Sequence, residues 1–145
     1  MWNHREFLEN KIEENLFEFF AKDIESARYS EIYLAVAKTL RLLIGRTWHQ
    51  SLQKIKNNKT LYILSFEYSL GTRLVSNAIK LNIYDDIVDI LAERNRDFNK
   101  ICDQEIESQL GFGELGVISS AMLDALSNLG ESAYAYGLRY RKGML

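Results

Sequence analysis

The chain has 145 residues, 47% of them hydrophobic, enough to bury roughly 68–70% of the surface that an unfolded chain of this size exposes. Its 18 basic and 20 acidic residues leave a formal charge of −2, so no global field draws it to nucleic acid or to an anionic membrane. A single cysteine, Cys102, excludes an internal disulfide, and with only His4 and His49 beside it falls short of a structural zinc set. A cytoplasmic, metal-free protein is the expectation.

The opening segment interleaves Glu6, Glu9, Lys11, Glu13, Glu14 and Glu18 with apolar residues, a pattern foreign to signal peptides and membrane spans. Phe7, Leu8, Ile12, Leu16, Phe19 and Phe20 recur there at helical spacing, which predicts an amphipathic helix from about His4 to Ala21. After a polar break, Ser30 is placed to cap a second and longer helix, with Glu31 in its first turn near the positive end of the dipole. That helix runs through Ile32, Leu34, Val36, Leu40, Leu43 and Trp48 to the polar exit at Lys56–Lys59.

Leu61 to Phe66 is short, apolar and aromatic after a turn signal, and reads as a buried strand. Two helices follow, about Thr72 to Leu81 and Tyr84 to Arg94, separated by Asn82, which accepts left-handed geometry. A weaker helix starts at Asp97. Gly116 to Leu129 predicts a further helix ended by Gly130, and Ser132 to Leu138 alternates toward a second strand. The sequence has no proline and no tract that marks a linker. The expectation is therefore one mainly α, helix-rich domain over 1–145 with two short strands: amino-terminal helices over 1–60, and strand, helices, glycine loop and second strand over 61–145.

Gly111-Phe112-Gly113-Glu114-Leu115-Gly116 matches the spacing of a dinucleotide fingerprint. That fingerprint needs an apolar strand immediately before it within a parallel βαβ unit, whereas Asp103 to Gln109 is polar and acidic. A glycine loop leading into a helix can still present amides and a dipole to an anion, and the alternative is that the glycines only shape a tight start to the helix. Asp85, Asp86 and Asp89 fall in the first turns of a helix and read as dipole-complementing acids rather than metal ligands. No nucleophile elbow is present. Glu67, after the first strand, reads either as a cleft acid or as an ordinary hydrogen-bonded strand-end acid.

LYILSFEYSLGTRL from Leu61, IKLNIYDDIVDILAE, QLGFGELGVISSAMLDALSNLG from Gln109 to Gly130 and AYAYGLRYRKGML occur in an order that resembles the α-glucan (glycogen) phosphorylases. The detailed likeness covers Leu61 to Leu145; before it, only the helical pattern and the run IYLAVAKTL agree. The resemblance implies an amino-terminal part of a bacterial-type phosphorylase with an α/β fold, a glycosyltransferase that releases glucose 1-phosphate from an α-1,4-glucan. It implies pyridoxal phosphate in the full-length family, held by a lysine in a carboxy-terminal domain that this sequence does not match, and hence no cofactor in this chain.

By the same resemblance, Glu67, Gly111, Gly113, Glu114, Leu115 and Gly116 correspond to one wall of the substrate cleft and are remnants of substrate binding; no catalytic residue and no metal ligand is assigned. The loop departs from the family pattern, with Phe112 for asparagine, Glu114 for glycine and Val117 for arginine, which disfavours retained contact with phosphate, glucose phosphate or glucan. Arg141 and Lys142 replace an acid and an aromatic near the end. The chain is accordingly expected to be a truncated or split homologue without catalysis of its own. The alternative is a non-enzymatic helical assembly module, pairing with itself, as a dimer for example, or with another phosphorylase-type chain.

Overall fold

A computed structural model of the chain describes residues 4–57, 59–111 and 113–141. Among them are six helices, α1 (His4–Phe20), α2 (Tyr29–Asn57), α3 (Leu74–Lys80), α4 (Tyr84–Glu93), α5 (Phe98–Cys102) and α6 (Glu114–Leu129). Four short strands are interspersed, β1 (Leu61–Leu64), β2 (Tyr68–Gly71), β3 (Ser108–Leu110) and β4 (Ala133–Tyr136). The fold is mainly α. The chain gathers into two compact units, Met1–Gly45 with Arg73–Glu105, and Arg46–Thr72 with Ile106–Leu145, and α2 runs through both.

The first unit is an all-helical core. Leu8, Ile12 and Leu16 on α1, Ile32 and Val36 on α2, and Ile87, Ile90 and Leu91 on α4 are almost fully buried in one cluster, at the three- and four-residue spacing that puts them on single helix faces. The polar member of the α1 stripe, Asn15, is buried with its amide paired: it donates to Thr39 Oγ1 at 3.0 Å and to the Ala35 carbonyl at 3.4 Å, which offsets the cost of desolvating it. Phe19, expected in the stripe, is instead 56% exposed; it stands on the last turn of α1, and its ring lies under Lys38 Nζ at 3.6 Å from the centroid. Leu34 and Trp48 of α2 are likewise more than half exposed.

Carboxylates close most of the characterised helix starts. The start of α2 differs from the expected serine cap: the helix begins at Tyr29, and the Glu31 carboxylate reaches back to accept the Arg28 amide at 2.8 Å, half of a capping box. Ser30, already inside the helix, is too late to cap it. Arg28 and Lys22 both close on the same carboxylate, which holds the Glu31 pKa down to about 2. Asp97 caps α5 by accepting the Asn99 amide. The carboxylate of Glu105, after α5, crosses to α3 and accepts the Arg73 and Leu74 amides at 2.7 and 3.0 Å. Asn82 takes the left-handed conformation anticipated for it, with φ 55°. At the end of α4, where a cation is favoured by the dipole, Arg94 gathers Glu9, Glu13 and Glu25 at 2.8–3.1 Å.

The second unit holds all four strands. β1 pairs in parallel with β4, Leu61 opposite Ala133 through Leu64 opposite Tyr136, and β2 pairs antiparallel with β3 across an irregularity between Ser69 and Gly71. Two of these strands are additional to the two expected. β2 and β3 are three or four residues long, too short to show an alternating pattern, and the polar β3 keeps Ser108 and Gln109 exposed because it needs only backbone pairing with β2. The polar stretch before the glycine loop therefore does end in a strand, but one outside the parallel β1–β4 pair, so the dinucleotide geometry remains absent among the described residues.

β1 is not buried as expected. Leu64 is 80% exposed, and Tyr62 stacks with Tyr134 and Tyr136 at centroid separations of 5.9 and 6.2 Å on an open face, because β1 pairs with β4 alone among the described strands. α6 starts two residues earlier than its expected Gly116 and ends at Gly130 in the left-handed conformation, φ 72°.

Candidate functional site

The segment between β1 and β2 carries Glu67, and the glycine loop between β3 and α6 carries Gly111 and Gly113. β2 and β3 are hydrogen-bonded neighbours, so their connecting ends fall together, and Glu67 lies against the loop. Its Oε2 accepts the Gly113 amide at 3.0 Å. Gly113 is the N-cap residue of α6, so this carboxylate sits at the positive end of the helix.

The glycines are explained by the same side chain. A Cβ on Gly111 would come within 2.6 Å of Glu67 Cγ, and one on Gly113 would overlap Glu67 Oε2. A Cβ on Gly116 would stand 3.2 Å from the Ser69 amide nitrogen and 3.4 Å from Glu67 Cβ. The glycines of the loop thus make room for Glu67 to Ser69. Gly111 additionally has φ +85°, which favours glycine whatever the space, whereas Gly113 at φ −89° does not.

Of the six candidate positions, Glu67, Gly111, Gly113 and Gly116 come together. Glu114 and Leu115 are exposed on the first turn of α6, so the carboxylate lying on the loop amide is that of Glu67. Phe112 lies outside the described residues, as does Lys142; Val117 and Arg141 are exposed.

Neighbouring groups that the sequence pattern did not single out complete the floor. Ser119 of α6 donates to Ser65 Oγ at 2.8 Å, and Ser65 Oγ lies 2.9 Å from the Glu67 carbonyl. Tyr68 sends its hydroxyl between the carbonyls of Ile63 and Tyr136, 3.2 and 3.1 Å away, tying β2 under the parallel pair. Ser119, four residues after Leu115, was the available signal, but a small polar residue on a helix is too common to mark a site. A shallow hollow of about 330 Å³ beside them is lined by Leu64, Ser65, Phe66, Tyr136, Gly137 and Leu138.

Chemistry elsewhere is quiet. Burial pushes the Cys102 thiol up to about 11, with Glu105 adding to the rise, so it is not a thiolate near neutral pH. No group of three or more potential metal ligands occurs among the described residues, and no helix is long and apolar enough to cross a membrane.

The parallel β1–β4 pair, with the glycine loop and helix between them, describes an α/β element in which an acid meets a glycine loop at a helix start. The sequence profile of the carbohydrate phosphorylases matches residues 91–145, and the chain belongs to that family. It is 36% identical over 122 residues to a glycogen phosphorylase of Chlamydia pneumoniae, covering 83% of this chain and 15% of the relative. It is 31% identical over 141 residues to a glycogen phosphorylase of Synechocystis, covering 96% of this chain and 17% of the relative. A maltodextrin phosphorylase of Streptococcus pneumoniae is 30% identical over 146 residues, covering 99% of this chain and 17% of that protein. The chain therefore spans about a sixth of the length of these relatives.

Proposed function

We propose that this chain is a phosphorylase-derived cleft wall that does not carry out phosphorolysis of α-1,4-glucan by itself. The observation that supports the reading most directly is the Glu67 carboxylate on the Gly113 amide at 3.0 Å: the donor that a substrate anion would use is taken by the protein's own acid. Glu67, Gly111, Gly113 and Gly116, with Glu114 and Leu115 on the rim, are the remnants of the family's substrate wall in this reading. The loop fits a phosphate group poorly, so no contact with pyridoxal phosphate is assigned to these residues. A cytoplasmic setting accords with a glucan-metabolising family. Incubating the pure chain with glucan and phosphate is expected to give no glucose 1-phosphate above a boiled control, and enzymatic release would overturn the reading.

A second reading, an assembly module, is favoured by the open aromatic face of the β1–β4 pair. Parallel strands are ordinarily covered on both faces, and Tyr62, Leu64, Tyr134 and Tyr136 are all exposed. The partner in this reading is a second copy or another phosphorylase-type chain. Light scattering behind a sizing column tests the pairing of two copies: a discrete dimer across concentrations supports it, and a clean monomer removes self-pairing and weakens the assembly reading.

A further inference from the structure

The connection between α1 and α2, residues 21–28, is shaped by a turn far from it in the chain. That turn, between α4 and α5, is itself closely made: the amides of Arg94 and Arg96 both donate to the carbonyl of fully buried Leu91, at 3.1 and 2.8 Å, and Asn95 between them takes a left-handed step with φ 56°. Both arginines reach the connection. Arg96 donates from Nε to the Ile24 carbonyl at 3.0 Å and from Nη2 to the Glu25 carbonyl. Its guanidinium also lies 5.7 Å from the ring centroid of Tyr29, the first residue of α2. Arg94 donates to the carboxylates of Glu25 in the connection and Glu9 on α1, both at 2.8 Å. Beneath these contacts Ile24 and Ala27 plug into the core, while Asp23, Glu25 and Ser26 stay exposed.

We propose that Arg94 and Arg96 form a strap by which the α4–α5 turn sets the conformation of the α1–α2 connection, so that releasing the strap frees the connection while the helices on either side stay packed. A segment outside regular structure holds one course only where its backbone polar groups find partners, and Arg96 supplies them to two successive carbonyls. The planar fork of a guanidinium fixes direction as well as distance, which an ammonium does not. Arg94 adds the part that depends on charge and is weakened by salt. The helices themselves are held by Leu8, Ile12, Leu16, Ile32 and Val36, none of which needs either arginine. The inference rests on the helical unit and not on the cleft-wall reading.

The test is amide hydrogen exchange of the chain, residue by residue, in the wild type, Arg96→Ala, Arg96→Lys and Arg94→Ala. The reporters are the amides of Ser26 and Ala27, which close on the Asp23 side chain and carbonyl. In Arg96→Ala they are expected to exchange on the order of tenfold faster, the effect of losing charge-assisted hydrogen bonds, while Ile12, Leu16 and Ile90 within the helices keep their protection. Arg96→Lys should restore little of it, and Arg94→Ala should give a smaller rise and remove most of the acceleration that added salt causes in the wild type. Where Arg96→Ala does not fold, Arg96→Lys decides, with a rise in the same direction. Unchanged exchange at Ser26 and Ala27 in a folded Arg96 variant overturns the inference. So does equal acceleration across α1 and α4, which would mark a general loss of stability, or full protection by the lysine, which would remove the role of the fork.

Discussion

Gly113 and Glu67 make a pair whose coupling can be measured. Gly113 has backbone angles that any residue adopts, so the nearest resistance to an alanine there comes from the Glu67 carboxylate. Gly113→Ala should force the carboxylate away and cost about 1 kcal/mol, the net worth of one hydrogen bond, in denaturant unfolding. In a Glu67→Ala background the same change should cost close to nothing, so the double-mutant cycle should return nearly the whole effect as coupling. Equal penalties in both backgrounds would show that the glycine is required for some other reason.

Glu31 offers a second residue-scale test. Its hydrogen bonds from Arg28, and then from Lys22, lower its pKa from 4.5 to about 2, so the folded protein favours the ionised form. That contribution is fully present above pH 4.5 and is lost as the pH falls toward 2. Thermal melts of Glu31→Gln across this window should lose stability less steeply than the wild type.

At the scale of elements, carboxylate capping holds short helices that propensity alone would not. α3 has only seven residues, below the length at which an isolated helix persists, and the amides of Arg73 and Leu74 at its start are closed by Glu105. Glu105→Ala should destabilise the chain by about 1–2 kcal/mol, read by urea unfolding, while Glu107→Ala on the exposed neighbouring stretch should stay within about 0.5 kcal/mol.

This cap also marks where sequence reading stops. The helices were legible because Leu8, Ile12 and Leu16, or Ile87, Ile90 and Leu91, repeat at helical spacing, and their ends because Asn82 and Gly130 accept left-handed geometry. The glycine loop was visible as a string and Glu67 as a strand-end acid. Their meeting was not, because it depends on β2 and β3, which are too short to carry a pattern and bring together residues 46 apart in the chain. Burial of β1 was misread for a related reason: an apolar run reports what a strand tends toward, and the neighbour that covers it is a tertiary fact.

At the scale of the whole chain, the two units differ in what holds them. The buried apolar cluster lies entirely in the first unit. In the second, Tyr68 is the apolar side chain that reaches burial among the described residues, and α6 buries Gly116, Ser119 and Ser120 while Leu115, Val117, Ile118 and Met122 face outward. Small residues allow α6 to approach β2 closely, as Gly116 does at Ser69, but contribute little of the 1.5–3 kcal/mol that burying a leucine or isoleucine brings. Ser120 Oγ is moreover buried without a hydrogen-bond partner.

Local opening should therefore begin in the second unit. Hydrogen exchange of the isolated chain is expected to show amides of α6 and β4 exchanging on the order of tenfold or more faster than those of α1 and α4. A ligand or partner that covers the β1–β4 face should slow exchange in β1 and β4 first, because that is where uncovered apolar surface meets unprotected strand backbone. Uniform protection across both units would show instead that the loop, the serine pair and Tyr68 suffice to close the second unit without a large apolar core.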